Sequence, residues 1–261
     1  MPLTLTPVLD IPYIHAGDDL AEIILRSFER NKIELVDGDI VVVAQKIVSK
    51  AEGRLVDLKS ITPSERAIEL AEPTQKDARL VEIILRESNE VLRTRPGTII
   101  VEHRQGFVCA SAGVDHSNVG KAGWAADDLA EAEDWVLLLP EDSDASALAL
   151  RQRLEQASGA RLGVLIIDSH GRAWRLGTVG VAIGLSGLTG LADLRGQPDL
   201  FGYQLRITQV GVADELAAAA SLVMGQAAEG TPVVHVRGFP YPLREASLRE
   251  LLRPKDEDLF R

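Results

Sequence analysis

The run Val164-Leu165-Ile166-Ile167 has no polar residue to turn toward water, so a chain containing it must cover a strand on both faces. Asp168 stops the run abruptly, and Ser169, His170, Gly171, Arg172, Trp174 and Arg175 follow within seven residues. An acid, a hydroxyl, an imidazole, two guanidiniums and a flat aromatic are thereby gathered around one turn. In a sheet covered by helices, ligands collect at strand ends, where a side chain leaves the core but keeps a rigid anchor. Asp168 suits a hard metal, and Arg172 and Arg175 suit bidentate contact with phosphate or carboxylate. Taken singly, each residue reads first as a turn cap or a surface ion pair; the cluster reverses that preference. Gly177, Gly180, Gly184, Gly187 and Gly190 come next, which predicts backbone packed closely against another strand or a ligand.

A second apolar run, Ile40 to Val43, predicts another buried strand, and Gln45, Lys46 and Lys50 emerge where it ends. Helices are predicted after Gly17-Asp18-Asp19, after the capping box Thr62-Pro63-Ser64-Glu65 with proline at the first helical position, from Asp77 to Ser88, after Glu141-Asp142 up to about Gln156, and from Val212 to Met224. Strands are predicted over Thr98 to Val101, Gly106 to Ala110, Val136 to Leu139 and Val233 to Val236. The segment from Pro7 to Ile14 reads as an edge or loop. Residues 119–133, acidic and alanine-rich, read as a surface insertion, and the charged tail from Arg244 as surface. The domain reading is one unit over 1–243, with or without two lobes, followed by the tail 244–261.

The chain has 261 residues, of which 46% are hydrophobic and only 4% aromatic, so its core is aliphatic. A net charge of -11 argues against a general nucleic-acid binder. No apolar run has the length of a membrane span and the N-terminus is unlike a signal peptide, so a cytoplasmic location is expected. The single Cys109 sits between apolar neighbours and reads as a core residue.

Three separate turns offer hard oxygen ligands: Asp115, Asp168 with Ser169, and Gln226 with Glu229. Two carboxylates plus neutral oxygens suit Mg or Mn shared with substrate phosphates, and do not suit a closed zinc site. No G-x-x-x-x-G-K-[ST] or G-x-S-x-G motif is present, so neither a P-loop nor a nucleophile elbow is available. Residue spacing alone leads only as far as a metal-assisted phosphoryl or acyl enzyme.

The stretches IPYIHAGDDL, DGDIVVVAQKIVSKAEGRLVDL, GFVCASAGVDHSN, VLLLPEDSDASA, DSHGRAWRLGTVGVAIG and ADELAAAASLVMGQAAEGTPVVHVRG resemble, in order, the coenzyme F-420 gamma-glutamyl ligase family in its stand-alone form. The resemblance covers roughly residues 7 to 238. It implies an α+β fold of mixed sheets with helices, an intertwined homodimer, and GTP-dependent addition of L-glutamate to coenzyme F-420-0 and then to a growing gamma-linked tail. It also implies two divalent ions, Mg or Mn, with K as a further candidate. Carried over by motif, Asp115 and Asp168 hold one metal, and Ser169 with Gln226 the other. Ile11, Pro12, Tyr13, Ile14, Ala44, Gln45, Lys50, Asn118, Met224, Gly225, Gln226, Ala227, Ala228, Glu229, Gly230 and Thr231 surround GTP. Lys50, Arg172 and Arg175 are the expected catalytic cations, with Lys46 idle. Gln45 stands where a small hydroxyl is usual, His170 where an aromatic is usual, and the stretch between Asn118 and Val136 reads as longer than usual. The rival readings are a metal-dependent phosphohydrolase and a non-catalytic deazaflavin-binding homologue.

Overall fold

The computed structural model describes residues 2–119 and 134–260, so the expected insertion over 119–133 lies, beyond Val119, outside the described residues. The two all-apolar runs form the middle of a five-stranded sheet. Its order is β1 (Thr4–Pro7), β12 (Val233–Arg237), β2 (Ile40–Ala44), β8 (Gly163–Gly171), β9 (Thr178–Ser186). Only β2 and β8 run parallel, from Ile40 beside Gly163 to Ala44 beside Ile167; the other neighbours are antiparallel. Ile40, Val41, Val42, Val43, Val164, Leu165 and Ile166 are all fully buried, as strands without polar alternation require.

Helices α5 (Ser143–Ser158) and α6 (Val212–Met224) pack against β9 and β8, and α1 (Leu20–Arg30) packs against α5. The glycines of β9 make this possible. A Cβ on Gly180 would lie 2.5 Å from the Ala217 carbonyl oxygen of α6, and one on Gly184 would lie 2.4 Å from the Ser143 backbone at the start of α5. The close partners of these two glycines are therefore helices, not the strand or ligand expected. Asp19 caps α1 by accepting from the Glu22 N–H, Asp142 caps α5 by accepting from the Ala145 N–H, and Gly159 ends α5 in the left-handed region at φ 72°.

The crossover from β2 to β8 holds a second hydrophobic core in place of a single covering helix. After α2 (Gln45–Ala51) and β3 (Leu55–Asp57), the chain builds α3 (Glu65–Thr74), α4 (Ala78–Arg86) and the three-stranded sheet β4 (Ser88–Arg95), β5 (Thr98–His103), β6 (Val108–Ala110). It then returns through β7 (Trp135–Leu137), which pairs with β3. Leu58, Val81, Ile84, Ile99, Val101 and Val136 pack together there. A small ribbon of β10 (Ala192–Asp193) and β11 (Gln209–Val210) precedes α6. The mixed α+β class is as expected.

Several local expectations need correction. The helix after Thr62 begins at Glu65 with Ser64 as its cap, so Pro63 precedes the cap and is not the first helical residue. Helix α4 ends at Arg86, and Ser88 instead opens β4, a half-exposed strand whose charged alternation has little apolar signal. The stretch from Arg244 is docked through buried Leu248, whose N–H donates to the Asp144 carboxylate, while Arg244 pairs with Glu250. Among the described residues no helix is long and apolar enough to cross a membrane.

Candidate active site

One end of the main sheet collects most of the expected site residues. Ala44 is the last residue of β2 and its N–H donates to the Pro232 carbonyl, which ties the turn 225–231 to that end. Val8 N–H donates to the Val233 carbonyl, so the segment Ile11 to Ile14 leaves β1 at the same end. The parallel pairing of β8 with β2 ends at Ile167 opposite Ala44, and Asp168 is therefore the first residue beyond it. It is not a strand end as expected, because β8 continues to Gly171 as a hairpin with β9. The site thus lies where the ends of the parallel strands open a crevice.

Strand alternation sorts the hairpin residues onto two faces. Asp168 and His170 share one face, and His170 Nε2 lies 3.0 Å from Asp168 Oδ2. Asp115 reaches the same neighbourhood from the β2–β8 crossover, fixed by reciprocal backbone hydrogen bonds with Leu137 of 3.0 and 2.9 Å. Its carboxylate takes Lys46 Nζ at 2.7 Å and Gln45 Nε2 at 3.0 Å. Gln45 is buried, and its amide oxygen accepts from Ser49. Gln45, expected to meet the nucleotide through its backbone alone, gives its side chain to Asp115.

The opposite face carries Ser169, whose Oγ donates to Gln226 Oε1 at 2.8 Å, while Gln226 Nε2 donates to Ser221 of α6 at 2.8 Å. Gly180 is the cross-strand partner of Ser169, and its missing side chain lets α6 come close enough for this contact. Glu229 turns back into its own loop and accepts from the Ala227 N–H at 2.8 Å, which holds its carboxyl below the usual range. Of the two candidates in this turn, Gln226 faces Ser169 and Glu229 does not. Thr231 Oγ donates to the Met224 carbonyl and closes the turn.

Two lysines on successive turns of α2 border the crevice. Lys50 Nζ donates to the Asn118 carbonyl at 2.7 Å, and Asn118 Nδ2 donates to the Ala227 carbonyl at 3.1 Å. Lys46, expected to be idle, is the lysine that touches Asp115. It also donates to the carbonyl and hydroxyl of Ser117, each at 3.1 Å. Burial and then the Lys46 charge lower the Lys50 pKa, so its charge is costly there until an anion offsets it. Arg172 and Arg175 are exposed near the hairpin tip, where Arg172 donates to the Gly177 carbonyl at 3.0 Å. None of the hydrogen bonds or ion pairs that hold Asp115 and Asp168 involves either arginine. Tyr13 is exposed and Ile14 buried.

Burial pushes the Asp115 carboxyl up; Lys46 pulls it back, and the charge of Asp168 adds to the rise. Burial also opposes charge at Asp168, but the His170 hydrogen bond leads the contributions that take it below the usual range. Two carboxylates that feel each other in a poorly hydrated crevice fit a hard divalent cation completed by substrate oxygens, while Ser169 and Gln226 offer neutral oxygens on the other face of β8. Among the described residues no three His, Cys, Asp or Glu side chains gather, so the set is not the one zinc closes around. Cys109 is buried, with its thiol pushed up to about 12 by burial and by Asp168. Residue type alone gave no sign that Lys46 and Gln45 meet Asp115, since a helix starting at Gln45 has no capping side chain to announce it.

Residues 8–238 match the family described as F420-0:Gamma-glutamyl ligase. The chain is 47% identical over 263 residues to the coenzyme F420:L-glutamate ligase of Methanothermobacter thermautotrophicus, covering 100% of each protein. It is 47% identical over 252 residues to the protein of that name from Methanopyrus kandleri, covering 95% of this chain and 93% of the relative. With the one from Methanocaldococcus jannaschii the identity is 43% over 255 residues, covering 97% and 95%.

Proposed function

The chain belongs to the F420-0:gamma-glutamyl ligase family, and on that premise we propose that this enzyme, an acid–amino-acid ligase, adds L-glutamate to coenzyme F420-0 at the expense of GTP, and extends the gamma-linked tail by further glutamates. The observation that carries the reading is that Asp115 with Lys46, Asp168, the Ser169–Gln226 pair and Lys50, drawn from four separate segments, lie at one end of the main sheet.

A carboxylate is a poor acylating agent, so the γ-phosphoryl group of GTP is transferred first to the terminal carboxylate of the coenzyme. The glutamate amine then attacks the acyl carbon of that mixed anhydride; its C–N bond forms as the C–O bond to phosphate breaks, and the amine loses a proton. Lys50 would take a phosphate oxygen, a role supported by its link through Asn118 to the Ala227 carbonyl of the turn 225–231. Asp115 and Asp168 would hold one divalent ion, and Ser169 with Gln226 a second, which when bound neutralise phosphate charge. Arg172 and Arg175 suit the carboxylates of the acceptor tail, which would have to approach the exposed hairpin.

A second copy of the chain would cover the apolar side chains that stand nearly free in the monomer, among them Trp174, Leu176, Phe201 and Ile207, each at least 88% exposed. Sedimentation should then give a dimer.

Incubation with GTP, Mn and coenzyme F420-0, with and without glutamate, followed by mass spectrometry of the coenzyme, tests the ligase reading. Glutamate-dependent gain of tail mass supports it. Phosphate release without glutamate points to a phosphohydrolase, and binding of the deazaflavin with neither product points to a non-catalytic homologue.

A further inference from the structure

His170 has a job that the ligase reading leaves unassigned. Its ring is held from behind: Phe107 lies 5.6 Å from it between centroids, and Phe107 is in turn stacked on His103 at 4.9 Å with the planes 8° apart. His103 is itself immobilised, with Nδ1 accepting from the Gln105 N–H at 3.1 Å and the side chain 2% exposed. The front edge of His170 meets Asp168, Nε2 to Oδ2 at 3.0 Å, and both side chains are 11% exposed. Strand alternation puts these two residues side by side on one face of β8, so the contact needs no unusual backbone.

We propose that His170 is a positioning residue for divalent-cation binding: braced by the Phe107–His103 stack, it engages Oδ2 of Asp168 and fixes the rotamer of that carboxylate. This rests on the reading of Asp168 as a metal ligand. A group that hydrogen-bonds a ligating carboxylate sets its orientation, and losing such a partner weakens metal binding more than it alters the chemistry that follows. The role is distinct from filling space. An aromatic at this position would pack on Phe107 as well as imidazole does, but it would offer Asp168 no donor.

Two substitutions separate the two roles because they order oppositely. His170→Phe keeps the packing and removes the hydrogen bond, whereas His170→Gln loses the ring but carries an amide donor of similar reach to Nε2. Free Mn²⁺ in titrations of the full-length protein can be read by electron paramagnetic resonance, with no turnover needed. The positioning role requires His170→Phe to bind Mn²⁺ about 10-fold more weakly than the unsubstituted chain, with His170→Gln in between. With GTP, coenzyme F420-0 and glutamate present, the Mn²⁺ concentration for half-maximal rate should rise in His170→Phe by a larger factor than turnover at saturating Mn²⁺ falls. Equal affinity in His170→Phe and the unsubstituted chain, or weaker binding by Gln than by Phe, overturns the proposal and leaves His170 as packing. No Mn²⁺ binding by the unsubstituted chain would overturn the metal reading itself, an outcome distinct from either. Circular dichroism on each variant shows whether the fold is retained, and if His170→Phe does not fold, loss of affinity in His170→Ala with recovery in His170→Gln decides the same question.

Discussion

The two ends of the parallel pair β2 and β8 each carry a buried aspartate, and they are built to opposite specifications. At the start of β2, Asp39 is 1% exposed and fully answered: Arg237 donates to both oxygens at 2.9 and 2.7 Å, His235 approaches at 2.8 Å and the Val36 N–H at 3.0 Å. Burial works against its charge, but these partners win and hold the carboxyl below its usual range. At the far end, the side chains that answer Asp115 and Asp168 among the described residues are one lysine, one amide and one imidazole, and each carboxylate raises the cost of ionising the other. A carboxylate with its hydrogen-bonding capacity filled fastens the sheet, while one with capacity left over remains available to a ligand.

Exchanging the roles of the two ends by mutation gives the largest effects. Asp168→Asn preserves the shape of the site and removes one charge, so ligation should fall by at least about 100-fold, close to abolition, with an unchanged unfolding midpoint. Asp39→Asn should do the reverse, destabilising by about 2–3 kcal/mol because the buried Arg237 contacts lose their counter-charge, while the folded fraction keeps its turnover. Turnover against GTP and urea unfolding curves on both variants check this. Normal turnover in folded Asp168→Asn would remove the distinction between the two ends.

The open end should also need a cation that the closed end does not. GTP titrated by calorimetry in Mn and then in EDTA should lose at least about ten-fold in affinity, equivalent to 1.4 kcal/mol. Asp115→Ala should reproduce much of that loss. Affinity that survives chelation would mean that the crevice binds nucleotide through Lys50 and backbone groups alone.

Much of this contrast was legible in the residues. Uninterrupted aliphatic runs fixed the two central strands, and Asp168 after the second of them marked the crevice, because a both-faces-buried strand has few places to put an acid. The six quoted motifs brought Asp115, Gln226 and Lys50 into consideration, although Gln226 lies 111 positions from Asp115 and no local pattern joins them. What escaped was whatever depends on side chains meeting across the fold. The pairing of Lys46 with Asp115 is invisible because α2 has neither a cap nor a long apolar stripe, and the second core inside the crossover is hidden because β4 is a charged strand. The helices behind the β9 glycines were equally out of reach, since a glycine records a close approach but not its partner.

The two lysines sharpen the comparison within the open end. Lys50→Met should raise the KM for GTP by about ten-fold, the worth of one hydrogen bond to a charged group. Lys46→Met should leave that KM nearly unchanged and instead lower the Mn concentration needed for half-maximal rate, because its ammonium sits on the Asp115 oxygen that a metal would contest. Equal shifts in KM at both lysines would mean that they act through a shared positive field and not through separate partners.

Acid unfolding tests the two ends with the smallest perturbation, a proton. Burial takes the His103 pKa down to about 4 from 6.5, so the folded protein keeps this ring neutral where the unfolded chain protonates it. The unfolded state then binds more protons between those two values, and stability falls as the pH drops through that window, by up to about 3 kcal/mol if the whole shift is expressed. Asp39 acts lower. Its folded pKa lies below 3.8, so its contribution is complete above that value and disappears only as the pH falls through the depressed one. Urea midpoints measured from pH 7 to pH 3 should therefore decline in two stages, the first from the ring behind His170 and the second from the sheet fastening. Asp39→Asn should flatten the second stage and leave the first in place. A single decline confined to below pH 4 would mean that His103 gains its proton without loss of packing, and that the wall behind the open end is looser than its stacking geometry implies.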